Sequence, residues 1–168
     1  KPEEGEKLLA KAQELSPRKQ IIIMEHATAL STLNENEQAL ELFKQAYELE
    51  KKNTQALFIY ATAAQLAGKE DVVKEVLEEQ FGTVLVRDRQ LMAAYLKTGR
   101  TDIVVAIWEK LAEVNGEEEN FIKVKTSLAA AYYVDGQLGK AIKEIEAAIA
   151  HDPSFKEEGE AKIKDMRS

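Results

Sequence analysis

The chain has 168 residues, no cysteine and a formal net charge of −7 at pH 7, with 45% apolar and 32% charged residues. Without cysteine it has neither a disulfide framework nor a thiolate metal site, and its acidic balance argues against binding to nucleic acid phosphates. No apolar run approaches the roughly 18 to 20 residues that cross a bilayer. We therefore expect a soluble segment. The absence of cysteine is compatible with a reducing compartment without establishing one, so the compartment stays open, with the cytoplasm favoured.

From the N-terminus onward, the sequence predicts ten helices separated by short turns. The breaks carry the usual signals of helix ends: Pro17 and Pro153, and glycines at positions 68, 99 and 136. Glycine ends a helix because it adopts left-handed backbone angles without steric cost. The predicted helices cover residues 3–15, 19–32, 36–50, 53–67, 70–81, 86–98, 101–114, 119–134, 138–151 and 155–166.

A pattern of side-chain sizes recurs around four of these turns. The turn residues Asn34, Gly68, Gly99 and Gly136 are separated by 34, 31 and 37 residues. Small residues recur seven positions before the turn and at five and twelve positions after it, with larger residues between them. The middle of the chain departs from this pattern, since Gln80 replaces a small residue after Gly68, and Met92 and Val104 replace two around Gly99. Two antiparallel helices approach closely only where both carry small side chains, so this pattern predicts stacked helical hairpins. The recurring small residues are Ala27, Ala61, Ala129, Ala39, Ala141, Ala46 and Ala148.

This pattern resembles the tetratricopeptide repeat (TPR) family, whose 34-residue helix-turn-helix unit ends in a proline. The unit that matches best contains Leu128, Ala129, Tyr132, Gly136, Ala141, Ile145, Ala148 and Pro153. The resemblance implies an all-α fold, a right-handed α-α superhelix with a C-terminal capping helix. It implies a single domain over 1–168, with a partial repeat over 1–19, repeats at about 20–53, 54–84, 85–121 and 122–155, and a cap over 155–167. Because the chain opens within a repeat, we expect it to be part of a longer protein.

The sequence contains no convergent set of acid, base and nucleophile, so we expect no enzyme activity, no cofactor and no metal site. His26 is aligned with Tyr60, Leu91 and Leu128 of the other repeats, which indicates a packing role between helices. The function expected instead is that of a protein-interaction scaffold with a protein or peptide ligand. Nucleic acid is not an expected partner, and weak self-association through the ends of the stack is a further possibility.

The TPR resemblance implies that the first helix of each repeat lines a concave ligand groove. Its first half is apolar and hydroxyl-bearing, whereas its second half carries positive charge in an acidic chain, which is suited to an acidic group of a peptide. The groove residues implied in this way are Met24, Thr28, Phe58, Thr62, Gln65, Arg89, Lys97, Lys123, Thr126 and Tyr133.

Two short stretches, residues 15–20 and 152–159, are also similar to the soluble repeat tails of bacterial O-antigen polymerases and ligases, which are membrane proteins. That similarity implies an alternative function, a regulatory or docking tail of a glycan-assembling membrane enzyme. Transmembrane segments in the parent protein would support this alternative.

Overall fold

The computed structural model describes residues 1–114 and 120–168, and within them the secondary structure is ten α-helices and one 3-10 turn, with no strand. This confirms the predicted all-α class. The first residue of the eighth predicted helix, 119, lies outside the described residues. The helices are α1 (Pro2–Leu15), α2 (Gln20–Thr32), α3 (Asn36–Leu49), α4 (Thr54–Leu66), α5 (Glu70–Phe81), α6 (Arg89–Lys97), α7 (Thr101–Val114), α8 (Phe121–Val134), α9 (Leu138–His151) and α10 (Lys156–Arg167), and the 3-10 turn is Pro153–Phe155.

The chain divides into two compact units, Lys1–Thr98 and Gly99–Ser168. The first unit contains α1 to α6 and the second contains α7 to α10. The boundary falls within the third predicted repeat, 85–121. The repeat limits derived from the sequence remain predictions.

In the first unit, α1 packs on α2, α2 on α3, α3 on α4, and α4 on both α5 and α6. The small residues of the recurring pattern lie at these contacts, since Ala27 and Ala61 are both 0% exposed. Larger side chains fill the space beside them, among them Leu57 and Leu77, which are also fully buried. Gln80 replaces a small residue of the pattern and is exposed at the end of α5.

In the second unit, α8 packs against α7 and α9, and α10 packs on α9. A core cluster of Ala129, Ile145, Ala148 and Phe155 joins α8, α9 and the 3-10 turn. Ile163 and Met166, on the apolar face of α10, are partly buried and pack against this cluster. The C-terminal helix therefore covers the apolar face of α9.

The four turn residues identified in the sequence all have left-handed backbone angles. The φ values are 64° at Asn34, 71° at Gly68, 78° at Gly99 and 77° at Gly136. Asn34 is the only non-glycine residue with positive φ among the described residues. Asparagine tolerates this conformation better than most residues, which explains how it replaces glycine at the first turn.

The predicted helix 86–98 is shorter in the structure, where α6 begins at Arg89 and ends at Lys97. The cause is Asp88, whose Oδ1 accepts hydrogen bonds from the backbone N–H groups of Gln90 and Leu91, both at 2.9 Å. A side chain that caps a helix start requires extended backbone angles at its own residue. Asp88 has such angles, with φ −129° and ψ 138°, so the helix cannot begin at residue 86.

Across residues 1–114 and 120–168, none of the helices combines the length and apolar character needed to cross a membrane.

Gly136 and Gly139 give a matched test of the left-handed turn that precedes α9. Replacing Gly136 with Ala forces a side chain into left-handed angles, and we expect a loss of about 1 kcal/mol in the free energy of unfolding. Gly139 lies inside the helix with no atom within 4 Å of an added Cβ, so Gly139→Ala should raise the stability by up to about 1 kcal/mol. Urea unfolding of both variants measures the two signs, and equal effects would contradict the turn geometry.

Candidate ligand-binding groove

Two of the residues assigned to the groove, Met24 and Gln65, lie in the core of the first unit. Met24 is 6% exposed and belongs to a core cluster with Ile23 and Ala46. Gln65 is 1% exposed, and its Nε2 donates a hydrogen bond to Thr98 Oγ1 at 2.8 Å. In this conformation neither side chain presents surface to a ligand, so a direct contact from either stays a prediction.

The other groove residues of α2 and α4 lie closer to the surface. Thr28 is exposed, and its hydroxyl donates to the backbone oxygen of Met24 at 2.8 Å. Phe58 is partly buried and stacks on Phe81 with 5.7 Å between the ring centroids. The Thr62 hydroxyl oxygen is buried without a hydrogen-bond partner among the described residues. These side chains give α2 and α4 a mixed apolar and hydroxyl surface.

Arg89 and Lys97 stand at the two ends of α6, and both side chains are exposed. Neither takes part in an ion pair within the part of the chain that the structure describes. The first unit therefore offers two positive charges available to an acidic ligand.

In the second unit, a pocket of about 340 Å³ lies between α8, α9 and α10. We call it the α8–α10 pocket. Two of the residues that the sequence assigned to the groove, Thr126 and Tyr133, are among those that line it. The lining residues are Thr126, Ala130, Tyr133, Val134, Ile145, Lys162, Asp165 and Met166.

The α8 side of the pocket is a single helix face. Thr126, Ala130 and Tyr133 follow one another at spacings of four and three residues, which places them on one side of a helix. Tyr133 is 48% exposed. Lys123, the third groove residue assigned to this unit, is exposed one turn before Thr126, and its backbone oxygen accepts a hydrogen bond from the Thr126 hydroxyl at 3.1 Å. Lys123 does not line the pocket itself.

Polar contacts on its other faces fix α8 between its neighbours. The Tyr132 hydroxyl donates to Glu109 Oε1 of α7 at 2.5 Å, and Lys125 Nζ pairs with Glu144 Oε2 of α9 at 2.7 Å. Burial raises the pKa of the Tyr132 phenol well above its ordinary value, and the adjacent Glu109 carboxylate raises it further. The phenol therefore remains a hydrogen-bond donor throughout the physiological pH range.

The end of α8 is held by Asp135. Its Oδ1 accepts a hydrogen bond from the Thr101 hydroxyl at the start of α7, and its Oδ2 accepts one from Gln137 Nε2 at 2.5 Å. These two donors stabilise the carboxylate, and the Thr101 hydroxyl has the larger effect in lowering the pKa of Asp135 below its ordinary value.

Sequence reasoning did not assign the wall of the pocket that α10 forms. Lys162, Asp165 and Met166 of this helix line the pocket, and Lys162 Nζ lies 3.3 Å from Glu158 Oε1 on the same helix. The only signal in the sequence was Met166, which belongs to the apolar line of α10. The TPR resemblance assigns the groove to the first helix of each repeat and gives α10 the role of a cap.

His26 has the packing position expected for it. The side chain is 13% exposed and lies between α2 and α1. Its Nδ1 is 2.6 Å from Gln13 Oε1 and its Nε2 is 3.3 Å from Glu6 Oε1, both on α1. Across residues 1–114 and 120–168, no three His, Cys, Asp or Glu side chains are grouped so as to hold a metal ion.

No family model matches the chain, and no curated protein sequence matches it either. Solved structures do match. The structure of MamA residues 41 to the end, from Desulfovibrio magneticus RS-1, has a TM-score of 0.58 at 16% identity, over 91% of this chain and 86% of that one. YrrB, described as a TPR protein with an unusual peptide-binding site, has a TM-score of 0.50 at 20% identity, over 86% of this chain and 75% of that one. The chain has the fold of TPR proteins. This confirms the predicted fold class, and identities this low establish the fold alone. The similarity to O-antigen polymerase tails gains no support from these structures.

The Thr101–Asp135 contact predicts a pH effect. We expect Thr101→Val to raise the pKa of Asp135 toward its ordinary value, because the main donor to the carboxylate is removed. A carboxyl group whose pKa is lower in the folded protein than in the unfolded chain stabilises the fold at pH values above the unfolded pKa. That stabilisation disappears as the pH falls through the pKa of the folded protein. Thr101→Val should therefore lower the melting temperature at neutral pH and have no such effect below the folded pKa. Titration of the Asp135 carboxyl by NMR measures the shift, and an unchanged pKa would refute it.

Proposed function

We propose that this chain is a protein-interaction scaffold whose α8–α10 pocket receives an apolar side chain of a peptide ligand. One observation carries the proposal: two residues that a TPR groove is expected to use, Thr126 and Tyr133, line a pocket whose other walls are mainly apolar. Ala130, Val134 and Met166 supply apolar surface to those walls, and the buried Ile145 lies at their base. A concave apolar surface with a few polar groups is the usual form of a binding site.

The size of the pocket limits what it can hold. Its volume of about 340 Å³ is near the lower end of ligand pockets in proteins, so it is suited to one large side chain such as leucine, methionine or phenylalanine. Burial of such a side chain contributes roughly 1.5 to 3 kcal/mol. Backbone and polar contacts outside the pocket must supply the rest of the affinity, which fits a peptide better than a small molecule.

Polar groups around the pocket give the ligand an orientation. Lys162 and Asp165 supply opposite charges on the α10 side, and the phenol of Tyr133 lies on the α8 side. We call the apolar side chain that enters the pocket the anchor of the peptide. A charged residue next to the anchor can form an ion pair with Lys162 or Asp165, and the peptide backbone can form a hydrogen bond with the Tyr133 hydroxyl. The peptide-binding site of YrrB supports a scaffold function by analogy of fold.

In the first unit, the exposed positive charges of α6 form a second proposed contact region. Arg89 and Lys97 are positioned to attract an acidic residue or terminal carboxylate of a ligand, and Thr28 and Phe58 add hydroxyl and aromatic surface. The alternative function, a docking tail of a membrane glycan polymerase or ligase, has no structural observation in its favour.

The pocket proposal is tested with peptides selected from a random display library on the wild-type chain. We expect selected peptides to share an apolar anchor and to bind saturably. Ala130 is exposed and lines the pocket, so Ala130→Glu puts a charge where the anchor would lie and should weaken binding by roughly tenfold or more. Fluorescence anisotropy of a labelled peptide measures the dissociation constant.

A matched control is Ala161→Glu, which adds the same charge to an exposed alanine of α10 outside the pocket. This variant should bind within about twofold of the wild type, since exposed single charges contribute little. The proposal fails if no peptide is selected, or if the two variants weaken binding equally.

The charges of α6 are tested separately with an Arg89→Glu, Lys97→Glu double variant. We expect this variant to bind acidic peptides more weakly than the wild type does. Most of that difference in affinity should disappear at high salt, because salt screens exposed charges. The control, Lys44→Glu with Lys74→Glu, makes the same change in net charge at exposed positions of α3 and α5. Identical binding by the two double variants would remove α6 from the proposed site.

A further inference from the structure

The C-terminal helix contributes three of the eight residues that line the α8–α10 pocket: Lys162, Asp165 and Met166. We propose that α10 is a wall of the binding site as well as a cover for the core, and that Gly159 is the positioning residue that sets its distance from α9. This inference rests on the proposed function, because it concerns the same pocket. It adds a residue that neither lines the pocket nor touches the ligand.

Gly159 is buried in the interior of α10, where glycine is unfavourable for a helix. The space around it explains the choice. A Cβ added at Gly159 would lie 2.7 Å from both Cδ1 and Cγ1 of Ile149 on α9, and 3.2 Å from Cε1 of Phe155. Real Cβ atoms do not approach other atoms as closely as 2.7 Å, so any larger residue requires α10 or Ile149 to move. Glycine therefore permits the observed contact between the backbone of α10 and the side chain of Ile149 on α9.

The register of α10 connects this contact to the pocket. Residues 159, 162, 163 and 166 are spaced by three, four and seven, which places them along one side of the helix. Ile163 and Met166 on that side pack against the core cluster of the second unit. Lys162 and Met166 also line the pocket. A displacement of the helix at Gly159 therefore moves the α10 wall of the pocket.

The start of α10 is anchored, so the displacement would be greatest farther along the helix. Phe155 is 9% exposed and belongs to the core cluster, and Asp152 Oδ1 accepts a hydrogen bond from the Ser154 N–H at 2.9 Å. Gly159 follows Phe155 by one turn. When Ile149 keeps its side-chain position, a side chain at Gly159 pushes α10 away from α9 and displaces the following two turns, with Lys162 and Met166.

The test uses Gly159→Ala, the smallest change that adds a Cβ. Binding of a peptide selected on the wild type should weaken roughly tenfold, the scale of a lost apolar contact. The clashing atoms belong to Ile149, so removing them should relieve the effect of the added Cβ. The double variant Gly159→Ala, Ile149→Ala should bind the peptide within about threefold of the wild type, after correction for any effect of Ile149→Ala alone. The matched control is Gly139→Ala, the same substitution where an added Cβ meets no atom within 4 Å, and its affinity should be unchanged.

A second measurement needs no ligand. The chain has three methionines, so methyl-labelled methionine gives three NMR signals, of which Met166 reports on the pocket and the buried Met24 serves as the internal reference. In Gly159→Ala without peptide, the Met166 methyl signal should move toward the position of exposed methionine while the Met24 signal stays in place. The double variant should return the Met166 signal toward its wild-type position.

The two measurements separate the two proposals. If the wild type binds no peptide but Met166 shifts as expected and recovers, the positioning role of Gly159 stands and the peptide function fails. If the wild type binds peptide and Gly159→Ala binds it equally well with an unmoved Met166 signal, the positioning role is overturned. Loss of binding without recovery in the double variant would also overturn it, because a general loss of folding does not depend on Ile149.

Discussion

Close contact between helices at buried alanines is the constraint on which both units depend. Ala27 and Ala61 are completely buried in the first unit, as are Ala129 and Ala148 in the second. A larger side chain at such a position would force the helices apart, because protein interiors are packed nearly as densely as organic crystals. The separation fixed by these residues determines where the outward-facing side chains of neighbouring helices stand. The positions of the α8 and α9 side chains that line the α8–α10 pocket therefore depend on buried alanines that do not line it themselves.

The parts of the fold that depend on short-range sequence could be predicted. The four turns follow from Gly68, Gly99, Gly136 and Asn34, because left-handed angles are accessible to few residue types. The helix contacts follow from the recurrence of alanine at fixed distances from a turn, because small side chains on both helices allow them to pack closely. All these signals lie within about one repeat of the feature that they specify, so they can be recognised without knowledge of the tertiary packing.

The parts that depend on tertiary packing could not be predicted. Met24 and Gln65 occupy positions assigned to the groove, and the packing of α2 and α4 against their neighbours buries both side chains, so a ligand contact from either stays a prediction. The start of α6 was missed because the choice between residues 86 and 89 depends on the side-chain cap of Asp88. The pocket wall formed by α10 depends on how far that helix approaches α9, which follows from the fit of Gly159 against Ile149. These differences concern the extent of a helix or its approach to a neighbour, and none concerns the existence of a helix.

The attachment of α1 differs in kind from that of the other helices. It has no buried residue, and two of its polar side chains, Gln13 and Glu6, contact His26. Separation of α1 from α2 exposes little apolar surface, so the main loss is that of two polar contacts that water can replace. Amide protons of α1 should consequently exchange with solvent through local opening at a lower free energy than those of α2 to α4. The first unit then has a stability gradient along its length, in which α1 opens while the alanine contacts of α2 to α4 stay closed.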